Sequence, residues 1–165
     1  MKLELKNVKY AAFASQETHC FEATLYVDGK RFATVSNEGH GGCNYEYPIA
    51  PFTDRDIKKL NEKIAAEYPP IVFDDYDGLD RDNDSMPQSL DCVVGGMVND
   101  HLLDKEIKRA LRRILFIESP DSKDVYTFGA AKDNKNLIRT KVLKKYPQAI
   151  ILNDLPLEEV RNYWS

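Results

Sequence analysis

The sequence predicts an α+β fold with a mostly antiparallel sheet, on three observations. The first 37 or so positions alternate apolar and polar residues and are broken by an Asp-Gly pair. Four later segments carry helical spacing and start or stop signals. Short apolar runs lie between those segments.

Leu3 to about Ser15 is expected as the first strand, since Leu3 and Leu5 alternate with Lys2, Glu4 and Lys6. Val8, Tyr10, Ala12 and Ala14 continue out of step, so a β-bulge is expected at Asn7. Gln16-Glu17-Thr18 is a polar turn. Phe21, Ala23, Leu25 and Val27 then share one face of a second strand, and Asp28-Gly29 turns it into a third, Lys30–Asn37. Thr53 begins a helix with Asp54 and Asp56 in its first turn, and Pro69-Pro70 stops it. Ile71-Val72-Phe73 is a short strand. Ser89 begins a helix whose apolar residues run from Leu90 to Ile114, interrupted by Gly95-Gly96. Those glycines imply close packing of another backbone, a kink or a split. Ile114–Glu118 and Val125–Gly129 are two strands, and Asn136–Tyr146 is a basic helix. Ala149–Leu152 is a short strand, and Pro156 starts a last helix running to Trp164. The sheet thus begins with a three-stranded N-terminal meander and is packed by about four helices. No repeat or linker divides the chain. One domain over residues 1–165 is expected, with the meander at about 1–47 and a helical and mixed remainder from about 53.

A 42% hydrophobic content is enough for a core in a 165-residue chain. No apolar run approaches the roughly 20 residues of a membrane span. Met1 to Lys6 alternates charge and leucine, unlike a signal peptide. Three scattered cysteines make no disulfide framework. A cytoplasmic protein with no membrane partner is therefore expected. The net charge of −4 hides an asymmetry. Asp74 to Asp104 holds nine acids and one base, whereas Lys105 to Lys145 holds twelve bases and five acids. Such a chain offers partners an acidic and a basic surface, or two solvated faces.

Ser36 to Tyr45 is the most unusual segment. Asn37, Gly39, His40, Gly41, Gly42, Cys43 and Asn44 put three glycines in four positions around a His and before a Cys. Glycine belongs where φ must be positive or another group approaches closely. Successive N–H groups of such a turn can cradle a phosphate or carboxylate. The segment lacks both the Lys-Ser/Thr ending of a P-loop and dinucleotide-turn spacing; a tight bend without a ligand is the plainer alternative. The tight hairpin brings His19 and Cys20 to the same end of the sheet as His40 and Cys43, which invites a zinc reading. Adjacent strand residues point to opposite faces, which counts against it.

Asp80, Asp82 and Asp84 open like a calcium loop with Asp91 at its twelfth position. Ser85 stands where Gly is wanted, and Pro87 interrupts the loop. A solvated acidic loop, or an acidic partner-binding surface of Asp74, Asp75, Asp77, Asp80, Asp82 and Asp84, fits better. Lys108, Arg109, Arg112 and Arg113 form a basic stripe at helical spacing, suited to nucleic-acid phosphate or to pairing with nearby acids. The sequence pI near 5.4 argues against general DNA binding. No enzyme mechanism assembles. A thiol nucleophile at Cys43 with His40 or His19 as base is the nearest approach to one, and no catalytic residue and no resident cofactor is assigned.

Phe21-x-Ala23-Thr24-Leu25-Tyr26-Val27-Asp28-Gly29-Lys30 and Val35-Ser36-Asn37-x-Gly39-x-Gly41-Gly42-Cys43-Asn44 resemble small uncharacterised proteins encoded by tailed phages and prophages. Lys145-Tyr146-Pro147-x-Ala149 and Leu152-Asn153-Asp154-Leu155-Pro156 resemble the same group. The acidic middle is not covered, and no activity or site residue comes with the resemblance. It implies a phage accessory protein in the host cytoplasm. The expectation is a non-enzymatic inhibitor that uses the acidic surface to bind a host protein or nucleoprotein defence component. The alternatives are a sponge that sequesters a phosphorylated nucleotide signal in the glycine-rich loop, and a metal- or thiol-dependent enzyme on a nucleotide or phosphoester.

Overall fold

The computed structural model describes residues 1–72, 85–129 and 134–164. Its elements are mixed α+β, and the chain forms two compact units, Met1–Asn99 and Asp100–Ser165. The division falls inside one helix, α2 (Leu90–Ala110).

The first unit is built on a four-stranded antiparallel meander, β1 (Leu3–Tyr10), β2 (Phe21–Val27), β3 (Lys30–Asn37) and β4 (Tyr45–Pro48), in sequential order. Asp28 and Gly29 have φ of 47° and 78°, as a two-residue turn between right-twisted strands requires. The expected bulge is present: pairing shifts between Lys6 and Lys9, and Asn7 has φ 55°. A second shift, at Leu25/Tyr26, leaves Phe32 without a partner across from it. β1 stops at Tyr10, short of Ser15, and a 3-10 turn at Ala12–Ala14 follows. β4 has no counterpart in the sequence expectations because Pro48 and the preceding glycines mask its alternation. Phe21, Ala23 and Leu25 of β2 and Ala33 and Val35 of β3 are buried on one sheet face.

α1 (Asp54–Glu67) buries Leu60 and Ile64. At its start the Asp56 carboxylate accepts from the Thr53 N–H (2.9 Å) and hydroxyl (2.8 Å), which holds Asp56 below the ordinary carboxylate range. β5 (Ile71–Val72) pairs with β6 (Ser85–Met86). The first part of α2 buries Leu90, Val94 and Val98.

In the second unit β7 (Ile114–Ile117) is the centre of a three-stranded antiparallel sheet, flanked by β8 (Tyr126–Phe128) and β9 (Ile150–Ile151). All four β7 residues are buried. Leu115 and Ile117 pack with Ile107, Leu152 and Val160 on one face. Ile114 and Phe116 pack with Ile138 and Val142 of α3 (Lys135–Lys145) on the other. Each such side chain contributes roughly 1.5–3 kcal/mol. The last helix, α4 (Leu157–Arg161), is shorter than its sequence signals, and Arg161 bonds Asp104 of α2 at 2.7–2.8 Å. No helix among the described residues is long and apolar enough to cross a membrane.

Gly95 and Gly96 neither split α2 nor receive another backbone: a Cβ on either would meet nothing within 4 Å. Gly95→Ala is therefore expected to stabilise the protein by about 1 kcal/mol through helix propensity alone. This is measured as a higher urea midpoint; a lower midpoint would mean that the helix surface there is occupied.

Candidate functional site

The glycine-rich loop joining β3 to β4 is organised by one buried amide. Asn37 ends β3 opposite Phe21, on the apolar face, and is 5% exposed. A buried primary amide needs partners for both its oxygen and its nitrogen, and Asn37 finds four. Its Oδ1 accepts from the Thr18 hydroxyl (2.6 Å) and the Gly39 N–H (2.8 Å). Its Nδ2 donates to the Gly42 carbonyl (3.3 Å) and to Asn44 Oδ1 (3.2 Å). The bond from Gly39 makes an Asx turn that starts the bend.

Gly39 has φ 87°, and a Cβ there would collide with the Ala14 carbonyl oxygen and lie 2.9 Å from Cys20 Cβ. Its own carbonyl accepts from the N–H groups of Gln16 (2.9 Å) and Glu17 (3.0 Å), which seats the loop on the polar turn between β1 and β2. At the far end the Asn44 N–H donates to Asp91 Oδ1 (2.7 Å), and its side-chain amide donates to the Asp91 carbonyl (3.1 Å). The loop is thereby tied to the first turn of α2. The N–H groups of Gly39, Gly41 and Asn44 are thus engaged by Asn37, Thr18 and Asp91. An anion at this turn would compete with those internal acceptors.

Beside the loop lies a cleft of about 500 Å³ whose walls include Tyr10, Glu17, His19, Phe21, Asp91 and Gly95. Asn37, Gly42 and Asn44 also reach it, whereas Gly39, His40, Gly41 and Cys43 are not among its lining residues. Glu17 and Asp91 are its acidic groups, and no lysine or arginine lines it among the described residues. Burial, and then the charge of Asp91, push the nearby Glu46 carboxyl above the ordinary range.

His40 is exposed, with Nδ1 3.3 Å from Gln16 Oε1. Cys43 is exposed and free; Cys20 is half-buried, and its thiol is also free. His19 packs edge-on to Tyr10 (5.6 Å between centroids), while the Cys20 side chain lies beside Gly39. Among the described residues no three or more His, Cys, Asp or Glu side chains come together as metal ligands. Asp74, Asp75, Asp77, Asp80, Asp82 and Asp84 lie outside the described residues. Asp91, the twelfth position of the calcium-like pattern, is the anchor of Asn44.

In the second unit the basic stripe divides. Lys108 lies 4.0 Å from Asp104. Arg109, Arg112 and Arg113 line a different cleft with Lys123, and Arg112 and Arg113 stand beyond the end of α2. Asn153 holds that turn: its Nδ2 donates to the carbonyls of Leu111 and Arg113, both at 2.9 Å, and its Oδ1 accepts from the Leu115 N–H at 2.8 Å. Sequence reasoning missed Thr18, Glu17, Lys123 and Asn153. A polar residue at a core register position was the available signal for Asn37, and the others have no local one. No protein-family model, curated protein or solved structure matches the chain, so the chemistry of these sites rests on their own geometry.

Asn37→Ala is expected to lower stability by roughly 2–3 kcal/mol, since it strands several buried polar groups. Gly39→Ala should cost at least about 1–3 kcal/mol from its left-handed backbone alone, and Gly42→Ala, with open space around its Cβ, should cost less. Chemical denaturation of the three variants checks the order. Equal losses at Gly39 and Gly42 would remove the close approach from the explanation.

Glu46 sets a pH dependence. A carboxyl whose folded pKa is raised carries no penalty below its unfolded pKa, and the penalty grows as pH rises through the raised value. Glu46→Gln is therefore expected to be more stable than the parent at pH 7 and equal to it near pH 3. Urea titrations at the two pH values measure this, and a less stable variant at pH 7 would contradict it.

Proposed function

We propose that the chain is a phage accessory protein that acts by binding, with its first unit engaging a basic surface of a host defence protein or nucleoprotein in the bacterial cytoplasm. Charge is the observation that carries this reading. Residues 1–99 contain 17 acidic and 10 basic residues, a net of −7. The cleft beside the glycine-rich loop has the same sign, with Glu17 and Asp91 in its walls. Proteins that handle nucleic acid carry clustered arginine and lysine, and a negative surface steers and selects such partners. The segment from Asp74 to Asp84 contributes six of the acids by sequence. The resemblance to phage proteins supports the accessory context.

A phosphate sponge at Asn37–Asn44 is less favoured on two physical grounds. The internal acceptors already engage three N–H groups of the loop, and the neighbouring carboxylates repel a phosphate.

The test is fluorescence anisotropy with a labelled nona-arginine peptide. Saturable binding is expected, at least about tenfold weaker in 300 mM than in 50 mM NaCl because exposed charges are screened. Reversing Asp74, Asp75 and Asp77 to Lys should weaken it by a similar factor. Reversing the exposed α1 acids Asp54 and Glu62 should weaken it less. Equal binding by the parent and the Asp74/Asp75/Asp77 variant overturns the proposal.

A further inference from the structure

The stripe Arg109, Arg112 and Arg113 has no part in an acidic docking surface, yet it is built into a second cleft. We propose that this cleft, within the second unit, is a nucleotide-binding site, with phosphates held by Arg109, Arg112, Arg113 and Lys123 and the base placed against Tyr163 and Trp164.

The cleft measures about 820 Å³, within the range of small-ligand sites. Its six charged groups are those four cations with Glu106 and Asp124. The cations come from separate pieces of chain: the last turn of α2, the turn that follows it, and the β7–β8 connection. Three of them are close in the sequence, and the fold brings Lys123 to join them. Guanidinium groups present planar pairs of donors that match phosphate oxygens two at a time. Asn153 fixes both ends of the turn that carries Arg112, through the carbonyls of Leu111 and Arg113. Arg112 and Arg113 therefore stand on a held backbone, and less ordering of that turn is needed when an anion arrives.

The aromatic wall distinguishes a nucleotide from a bare phosphate. Tyr163 and Trp164 are half-buried against the cluster around Ile107, Leu115 and Val160, so part of each ring is anchored and part is accessible. The indole N–H of Trp164 lies 3.4 Å from Glu106 Oε1, which orients the ring at the cleft edge. Stacking of a base on such a ring is worth about 1–3 kcal/mol. The concave shape favours a mononucleotide or dinucleotide over a duplex, whose broad surface cannot enter it. Lys108, paired with Asp104, lies outside.

Trp164 is the only tryptophan in the chain, so its fluorescence reports on this cleft directly. The purified protein is titrated by calorimetry and by Trp164 fluorescence with ATP, GTP, cyclic diadenylate, inorganic tripolyphosphate and adenosine. ATP is expected to bind saturably and quench Trp164, with tripolyphosphate and adenosine each at least about tenfold weaker. Arg112→Glu is expected to weaken ATP binding at least tenfold, and Lys108→Glu to leave it unchanged. Lys123→Glu, in the exposed β7–β8 connection, tests the same point should Arg112→Glu fail to fold. The proposal is overturned if neither ATP, GTP nor cyclic diadenylate binds saturably. It is also overturned if tripolyphosphate binds as tightly as ATP, or if Arg112→Glu and Lys123→Glu both bind like the parent. Nona-arginine binding at the first unit is independent of each of these results.

Discussion

Asn37 sits at the end of a core strand, where alternation would place an apolar side chain, and its amide has to be satisfied inside the protein. That single requirement shapes the N-terminal unit around it. The oxygen draws in Thr18 from one side and the Gly39 N–H from the other, while the nitrogen gathers Gly42 and Asn44. Gly39 can then press against Ala14 and Cys20 only because it has no side chain. Asn44, once held, passes the constraint to Asp91 and so to the start of α2. Gly39 is therefore explained first by packing, Gly42 by its positive φ alone, and the cleft beside them is a consequence of how the loop is seated.

Asn153 plays a comparable part in the second unit, at a different kind of junction. β7 is apolar on both faces and is gripped by α3 on one side and by α2 and α4 residues on the other. A turn entering so buried a strand has carbonyls and an N–H that need partners near the surface. One amide serves Leu111, Arg113 and Leu115 together. Arg112 and Arg113 emerge from that turn, so the element that satisfies the backbone also determines where positive charge is displayed.

The two clefts have opposite electrostatic character. One has carboxylates and aromatic rings without lysine or arginine among the described residues, and the other has four cations beside two aromatic rings. The charge asymmetry visible along the chain is thus repeated at the level of individual sites. In a concave, partly desolvated setting such charges act more strongly than on an open surface.

Much of the fold was legible in the sequence because it is set by local chemistry. Period-two alternation, the Asp28-Gly29 turn, the phase shift at Asn7 and the Thr53 helix start each depend on residues within a few positions of one another. Non-local pairing decided the rest. β4 exists because β3 offers it an edge, not because Tyr45–Pro48 has strong alternation. The 3-10 turn after Tyr10 meets Gly39 at Ala14, a contact between residues far apart in the chain. Gly95-Gly96 signalled a break, but the continuous packing of α2 residues on either side outweighed a cost of about 1 kcal/mol per glycine. The sequence by itself determined the α+β class, the unusual loop and the separation of acidic from basic segments. Only the tertiary structure decided that the loop closes on Asn37 and Asp91, that Lys108 leaves the stripe, and that Lys123 and Trp164 join it. Those groupings depend on contacts between residues far apart in the chain, and local spacing carries no record of them.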